Sequence, residues 1–220
     1  MSLYIYLTII SLIIHFVLII PFINYLYHMK YQRARQKTLD AFDNPTPIFD
    51  KFHQHKSGTP VGGGMIVIIA TSVLSIFFLL SFRIFGIYSH SNYPSTMWEM
   101  GIILFSFVGF GLLGVYDDLN KIFVWEQKNF FGIKLRTKLV LEIILALIIS
   151  MALYFGLGIR FVHIPFFGVF DLSYYYIIFS AFVIVAFANA VNITDGLDGL
   201  AGGVLMIALI AFWTVARTII

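Results

Sequence analysis

The sequence has 220 residues, of which 60% are hydrophobic and 11% charged, with a formal net charge of +3. Soluble domains carry roughly 45–50% apolar and about 25% charged residues, so this composition excludes a water-soluble globular fold and makes lipid the solvent for most of the chain. Its separate apolar stretches approach the roughly 17–25 residues of a membrane-crossing helix, and they lack the ten-residue alternation of a transmembrane barrel.

Hydropathy predicts six spans, at approximately 3–26, 61–82, 97–116, 138–157, 172–190 and 200–218. The expected fold is therefore all-α, a polytopic transmembrane bundle forming a single membrane domain over 1–220. The first stretch, Leu3 to Ile23, lacks a basic n-region and a small-residue cleavage site, and it is too long for a signal-peptide core, so it reads as a retained span. His15 inside it reads as a packed or helix-bonded histidine. No cysteine occurs, which removes disulfides and thiolate metal ligands.

The connections alternate in charge. Segments 27–60 and 117–138 hold 11 of the 14 basic residues, from Lys30 to Lys56 and from Lys121 to Lys138. The positive-inside rule places both in the cytoplasm and the N-terminus outside. The outer loops 83–97 and 158–171 carry instead Tyr88, Tyr93, Trp98 and Phe166, an interfacial aromatic belt.

The first cytoplasmic loop ends in Lys56-Ser57-Gly58-Thr59-Pro60-Val61-Gly62-Gly63-Gly64 and runs directly into the second span. A lysine, flexible backbone and a helix N-terminus together make an anion cradle, because free amides and the helix dipole both favour negative charge. The competing reading is a close-packing device. The order of residues is not that of a P-loop. His53 and His55, two apart on a loop, read as surface or substrate-edge histidines, with metal ligation as the alternative.

The third span contains Gly109, Gly111 and Gly114 and ends in Asp117-Asp118-Leu119-Asn120-Lys121. Adjacent carboxylates at a membrane boundary repel and are desolvated, so a divalent cation suits them. A solvated helix end with an internal Asp–Lys pair is the alternative. Lys138 and Glu142 lie one turn apart at the start of the fourth span, as an interfacial ion pair or as functional groups.

The fifth span ends in Asn189-Ala-Val-Asn192-Ile-Thr194-Asp195-Gly-Leu-Asp198-Gly199. Asp195 and Asp198 are three apart, which points both carboxylates one way on a helix or tight turn. Asn192 and Thr194 add neutral groups for sugar hydroxyls or phosphate. The alternative is an N-cap, with Thr194 or Asp195 starting the sixth helix and the glycines packing helices.

Taken in order, Lys56-Ser-Gly-Thr-Pro with Gly63-Gly64, Gly114-Val-Tyr-Asp-Asp, and the long Asn189 to Ala201 motif, the chain resembles the polyprenyl-phosphate N-acetylhexosamine-1-phosphate transferases. The Lys-x-Gly-Thr-Pro form and Thr194 favour the muramoyl-pentapeptide branch over the N-acetylglucosamine-1-phosphate branch. The resemblance implies transfer of phospho-MurNAc-pentapeptide from UDP-MurNAc-pentapeptide to undecaprenyl phosphate, giving lipid I and UMP with Mg²⁺ at the cytoplasmic face of the inner membrane. It implies catalytic roles for Asp117, Asp118, Lys121 and Lys138, substrate binding by Lys56, Thr59, Asn189, Asn192 and Asp198, and metal binding by Asp195. The partners are those two substrates and the lipid bilayer, with a second copy of the chain as a further candidate and no nucleic acid. Family members continue into further spans with another metal-ligand aspartate and a histidine cluster, so these 220 residues are expected to be an N-terminal portion. A non-catalytic membrane protein keeping this half of the fold is the rival reading.

Overall fold

The structure, a computed structural model, describes residues 2–32, 45, 47–48, 51, 58–86, 93–123, 135–195 and 199–219. The side chains of 2–4, 121–123 and 217–219 are outside that description. In chain order the elements are α1 (Ser2–His28), α2 (Gly64–Ile84), α3 (Thr96–Phe123), α4 (Leu135–Leu157), β1 (Phe161–Ile164), β2 (Gly168–Asp171), α5 (Tyr175–Thr194) and α6 (Leu200–Ile219). Among the described residues α1 to α5 are long and apolar enough to cross a bilayer, and α6 is apolar over Leu200–Ala216. The all-α membrane architecture expected from hydropathy is thus the observed one. The chain divides into two compact units, Met1–Leu145 and Ala146–Ile220, with the division inside α4.

Polar side chains on lipid-facing helices are commonly satisfied internally, and several here use their own helix backbone. The hydroxyls of Ser81, Ser106, Ser180 and Thr214 each donate to the carbonyl four residues earlier, at 2.7–2.8 Å. His15 does the same across two helices. Its Nδ1 lies 2.7 Å from the Ser11 carbonyl and its Nε2 lies 3.1 Å from Thr71 Oγ1 on α2, so it is the packed histidine the sequence predicts.

In the first unit α1 ends in a Schellman-type turn. Lys30 takes a left-handed backbone (φ 57°), and the amides of Lys30 and Tyr31 return to the carbonyls of Tyr27 and Leu26. Leu26, only 1% exposed, is the buried residue of that turn. The Tyr31 carbonyl then accepts the Val61 amide at 2.9 Å, and Gln32 pairs with Pro60, so the exit of α1 is tied to the entry of α2.

Gly111 on α3 meets α2 so closely that a Cβ there would lie 2.8 Å from Ile68 Cγ1. On the helix's other side, a Cβ at Gly109 would lie 3.1 Å from Leu145 on α4. Without a hydrophobic force between helices in lipid, small residues promote association by allowing van der Waals contact at short range. Gly109 and Gly111 are therefore packing positions, while Gly114 has open space around it.

In the second unit α4 ends at Gly158 (φ 70°), whose amide returns to Tyr154. The stretch expected as a plain outer loop forms a hairpin, with β1 and β2 antiparallel from Phe161↔Asp171 to Ile164↔Gly168. Its signal lies in the β-branched and aromatic runs Phe161-Val-His-Ile and Gly168-Val-Phe on either side of Pro165. Asp171 closes the connection to α5 by accepting the Ser173 amide at 2.8 Å and pairing with Arg160 at 3.3 Å.

Candidate active site

In the first unit the Asp117-Asp118 pair, Lys138 and the glycine turn before α2 can be placed from two helix contacts. Successive spans run in opposite directions, so residues equally distant from a contact between two neighbouring helices lie at the same depth. Six residues beyond Gly111 is Asp117, about 9 Å along α3, and six before Ile68 is Gly62, in the turn two residues ahead of α2. Across the other contact, Lys138 is seven residues before Leu145 and Tyr116 seven beyond Gly109. The glycine turn before α2, the Asp117-Asp118 pair and Lys138 therefore share one depth. Thr59, three residues ahead of Gly62, is exposed at that end.

The two aspartates leave α3 in different directions. Asp118 follows Gly111 by seven residues and so continues the stripe that meets α2. Asp117 follows Gly109 and buried Leu113 at spacings of four, on the side that meets α4. Asp118 is thus the carboxylate nearer the α2 turn, and Asp117 the one nearer Lys138. Both are half-buried, as is Lys138, whereas Glu142 one turn further into the membrane is only 3% exposed. Asn120 spends its amide on its own helix, donating to the Tyr116 carbonyl at 2.7 Å. Lys121 lies on the last turn of α3.

The α2 end of this region has the backbone of a cradle. Gly58 and Gly62 adopt φ of 86° and 94°, and Gly63 caps α2 with no side-chain hydrogen bond. Gly63 itself brings no side chain to the first amides of α2, the end of a helix at which anions are favoured. Lys56 lies outside the described residues, as do His53 and His55.

The second unit builds its polar cluster by ending a helix. Asn189 and Asn192 are one turn apart on α5, the first half-buried and donating to the Val185 carbonyl, the second exposed. Thr194 is the last residue of α5, its hydroxyl bonded to Ala190, and Asp195 is its C-cap. The N-cap alternative is corrected: both residues close α5 and neither starts α6. A carboxylate at a helix C-terminus opposes the dipole, and α5 has no basic residue in its last turn to offset it. Among the described residues, a Cβ at Gly202 or Gly203 would meet nothing within 4 Å. Asp198 lies outside the described residues.

The sequence pattern of glycosyl transferase family 4 matches residues 100–219, which takes in both aspartate motifs. The chain belongs to glycosyl transferase family 4. Among curated relatives, the phospho-N-acetylmuramoyl-pentapeptide-transferase of Caldanaerobacter subterraneus subsp. tengcongensis is 36% identical over 199 residues, covering 89% of this chain and 53% of the relative. The protein of that name from a Thermoanaerobacter species is 39% identical over 197 residues, 88% of this chain and 52% of its own length. The one from Rickettsia akari is 37% identical over 177 residues, 79% and 44%. The chain thus spans about half the length of these family 4 relatives.

Among the described residues, no three of His, Asp and Glu converge as metal ligands. The donors do suit Mg²⁺, which takes one or two carboxylates and completes its shell with water and substrate phosphate, in contrast to an all-protein cage.

Proposed function

We propose that this family 4 protein carries part of a phosphosugar transferase that moves phospho-MurNAc-pentapeptide from its UDP carrier onto undecaprenyl phosphate, releasing UMP. The observation that carries the reading is the close approach of α3 to α2 at Gly111 and to α4 at Gly109, from which helix rise carries the Asp117-Asp118 pair, Lys138 and the glycine turn before α2 toward one end of these spans. The names and 36–39% identity of the relatives support the substrate class.

In this reaction an oxygen of the lipid phosphate attacks the phosphorus next to the sugar in the donor's pyrophosphate. A new P–O bond forms, the P–O bond to UMP breaks, and the electron pair leaves on the UMP oxygen. Both reactants are anions, so the protein's work is neutralisation and in-line positioning. Lys138 and Lys121 supply positive charge, and Asp117, on the stripe nearer Lys138, orients the lipid phosphate or takes its proton. Lys56 and Thr59 bind the other anion, and Asp118 shares with Asp117 the handling of the lipid phosphate. Asn189, Asn192 and Asp198 hold polar groups of the donor. Bound at Asp195, Mg²⁺ would supply charge stabilisation on the phosphates.

The positive-inside rule supports a cytoplasmic position for this chemistry, in the plasma membrane with the N-terminus outside. The test is transfer from UDP-MurNAc-pentapeptide to undecaprenyl phosphate by the full-length protein with and without Mg²⁺. Formation of the lipid-linked product that fails in Asp117→Asn and in Asp195→Asn is expected. Undiminished turnover in either variant would reject the assignment.

A further inference from the structure

We propose that the hairpin between α4 and α5 is a membrane anchor, its tip seated among the headgroups and first acyl carbons of the leaflet where those helices end. This inference does not depend on the catalytic reading. The hairpin joins Leu157 to Tyr175, the ends of two membrane-length helices, so it begins and finishes at a bilayer surface.

Its composition is wrong for water. From Phe161 to Phe170 the side chains are apolar apart from His163, and two strands of four residues are marginal in water without cover. The tip is the extreme case: Phe166 is fully exposed and Phe167 is 80% exposed. The turn itself sharpens the point. Ile164 to Phe167 closes with an amide-to-carbonyl bond of 3.1 Å, with Pro165 second and Phe166 third at φ 70°. That third position of a type II turn demands positive φ and normally takes Gly or Asn. A bulky aromatic there is strained, and the backbone holds its ring out at the apex.

The exposed apolar surface does not stop at the hairpin. Phe155 on α4 and Tyr174 and Tyr175 at the start of α5 are exposed as well, and the Tyr154 and Tyr174 rings lie 5.4 Å apart between centroids, tilted by 34°. Aromatic rings at the ends of spans are the composition of a bilayer interface, and rings on an apolar loop bury into the headgroup boundary. The hairpin's charges cancel, Arg160 against Asp171, so the occupant is the interface itself and not a particular anionic headgroup.

The 220 residues contain no cysteine, so Phe166→Cys and Phe167→Cys each introduce a unique label site among them. Spin-labelled full-length protein in phosphatidylcholine nanodiscs is read by collision with oxygen, which concentrates in lipid, and with a water-soluble nickel complex. Phe155→Cys serves as the lipid reference, and unfolding temperatures matching the unlabelled parent certify the fold. Anchoring predicts a several-fold excess of oxygen over nickel collision at 166 and 167, unchanged when half the lipid is phosphatidylglycerol. Nickel access exceeding oxygen at both sites overturns it in favour of a hairpin standing in water. Low access to both reagents overturns it in favour of protein cover, by a second copy or by another part of the full-length chain.

Discussion

The carboxylate end of Met1–Leu145 and the turn that closes α5 in Ala146–Ile220 use the same residue types but are built in opposite ways. In the first, Asp117, Asp118 and Lys138 are half-buried on helices that continue past them, and their depth is set by glycine contacts two turns away. In the second, Asp195 is exposed and sits where a helix stops. The first arrangement is positioned by the approach of neighbouring helices at Gly109 and Gly111. The second depends on how α5 ends. Positioning and proton transfer suit the first region, and adaptable coordination of a ligand suits the second.

The largest effects should fall on turnover and should separate the two carboxylates of the first region. Removing a charged group that stabilises a developing charge costs on the order of 10²–10³-fold. Asp117→Asn is expected to lower kcat by that amount with KM little changed, because its stripe leads toward Lys138. Asp118→Asn, on the α2 stripe, should act more on the KM of one substrate. Steady-state kinetics with each substrate varied in turn make the check. Identical patterns for the two variants would mean that their different faces on α3 have no functional meaning.

A packing substitution should break the first region and leave the second untouched. Gly111→Leu forces side-chain atoms into Ile68, an overpacking that costs about 1–3 kcal/mol. A lower unfolding temperature is expected, together with lost transfer, and Ile68→Ala should restore part of both. Gly114→Ala and Gly202→Ala meet nothing within 4 Å, and Ala exceeds Gly in helix propensity by about 0.5–1 kcal/mol. These two should unfold no earlier than the parent. Early unfolding of Gly202→Ala would show that α6 is packed more closely than its surroundings indicate.

Much of this is legible in the sequence because lipid simplifies the code. Six apolar stretches and their charged connections locate the helices, and Asp117-Asp118 and Asn189 to Asp198 locate the polar clusters. What hydropathy does not reveal is which face a residue takes. Gly109 and Gly111 look equivalent in sequence, yet one meets α4 and the other α2, and that difference separates Asp117 from Asp118. The hairpin escapes hydropathy because its runs are as apolar as a loop at the interface should be, so only the β-branched pattern and Pro165 betray it. The role of Thr194 and Asp195 is ambiguous in sequence because the same residues cap helix starts and, as here, end them.

The smallest expected effect is also the one that best separates structure from function, because α5 carries an aspartate near each end. Asp171 precedes the helix, where its carboxylate accepts the Ser173 amide and favours the positive end of the dipole. Asp171→Ala should therefore destabilise by up to about 1 kcal/mol. Arg160→Ala should do less, since that pair is more than half exposed on both sides and such pairs contribute roughly 0–1 kcal/mol. Asp195 caps the negative end, where its charge works against the helix. Asp195→Asn removes that repulsion, so it should raise stability by about 0.3–1 kcal/mol while abolishing transfer. Thermal unfolding of the two variants beside the transfer assay decides the matter. Should Asp195→Asn lower the unfolding temperature as Asp171→Ala does, the carboxylate belongs to the fold and the case for it as a ligand is lost.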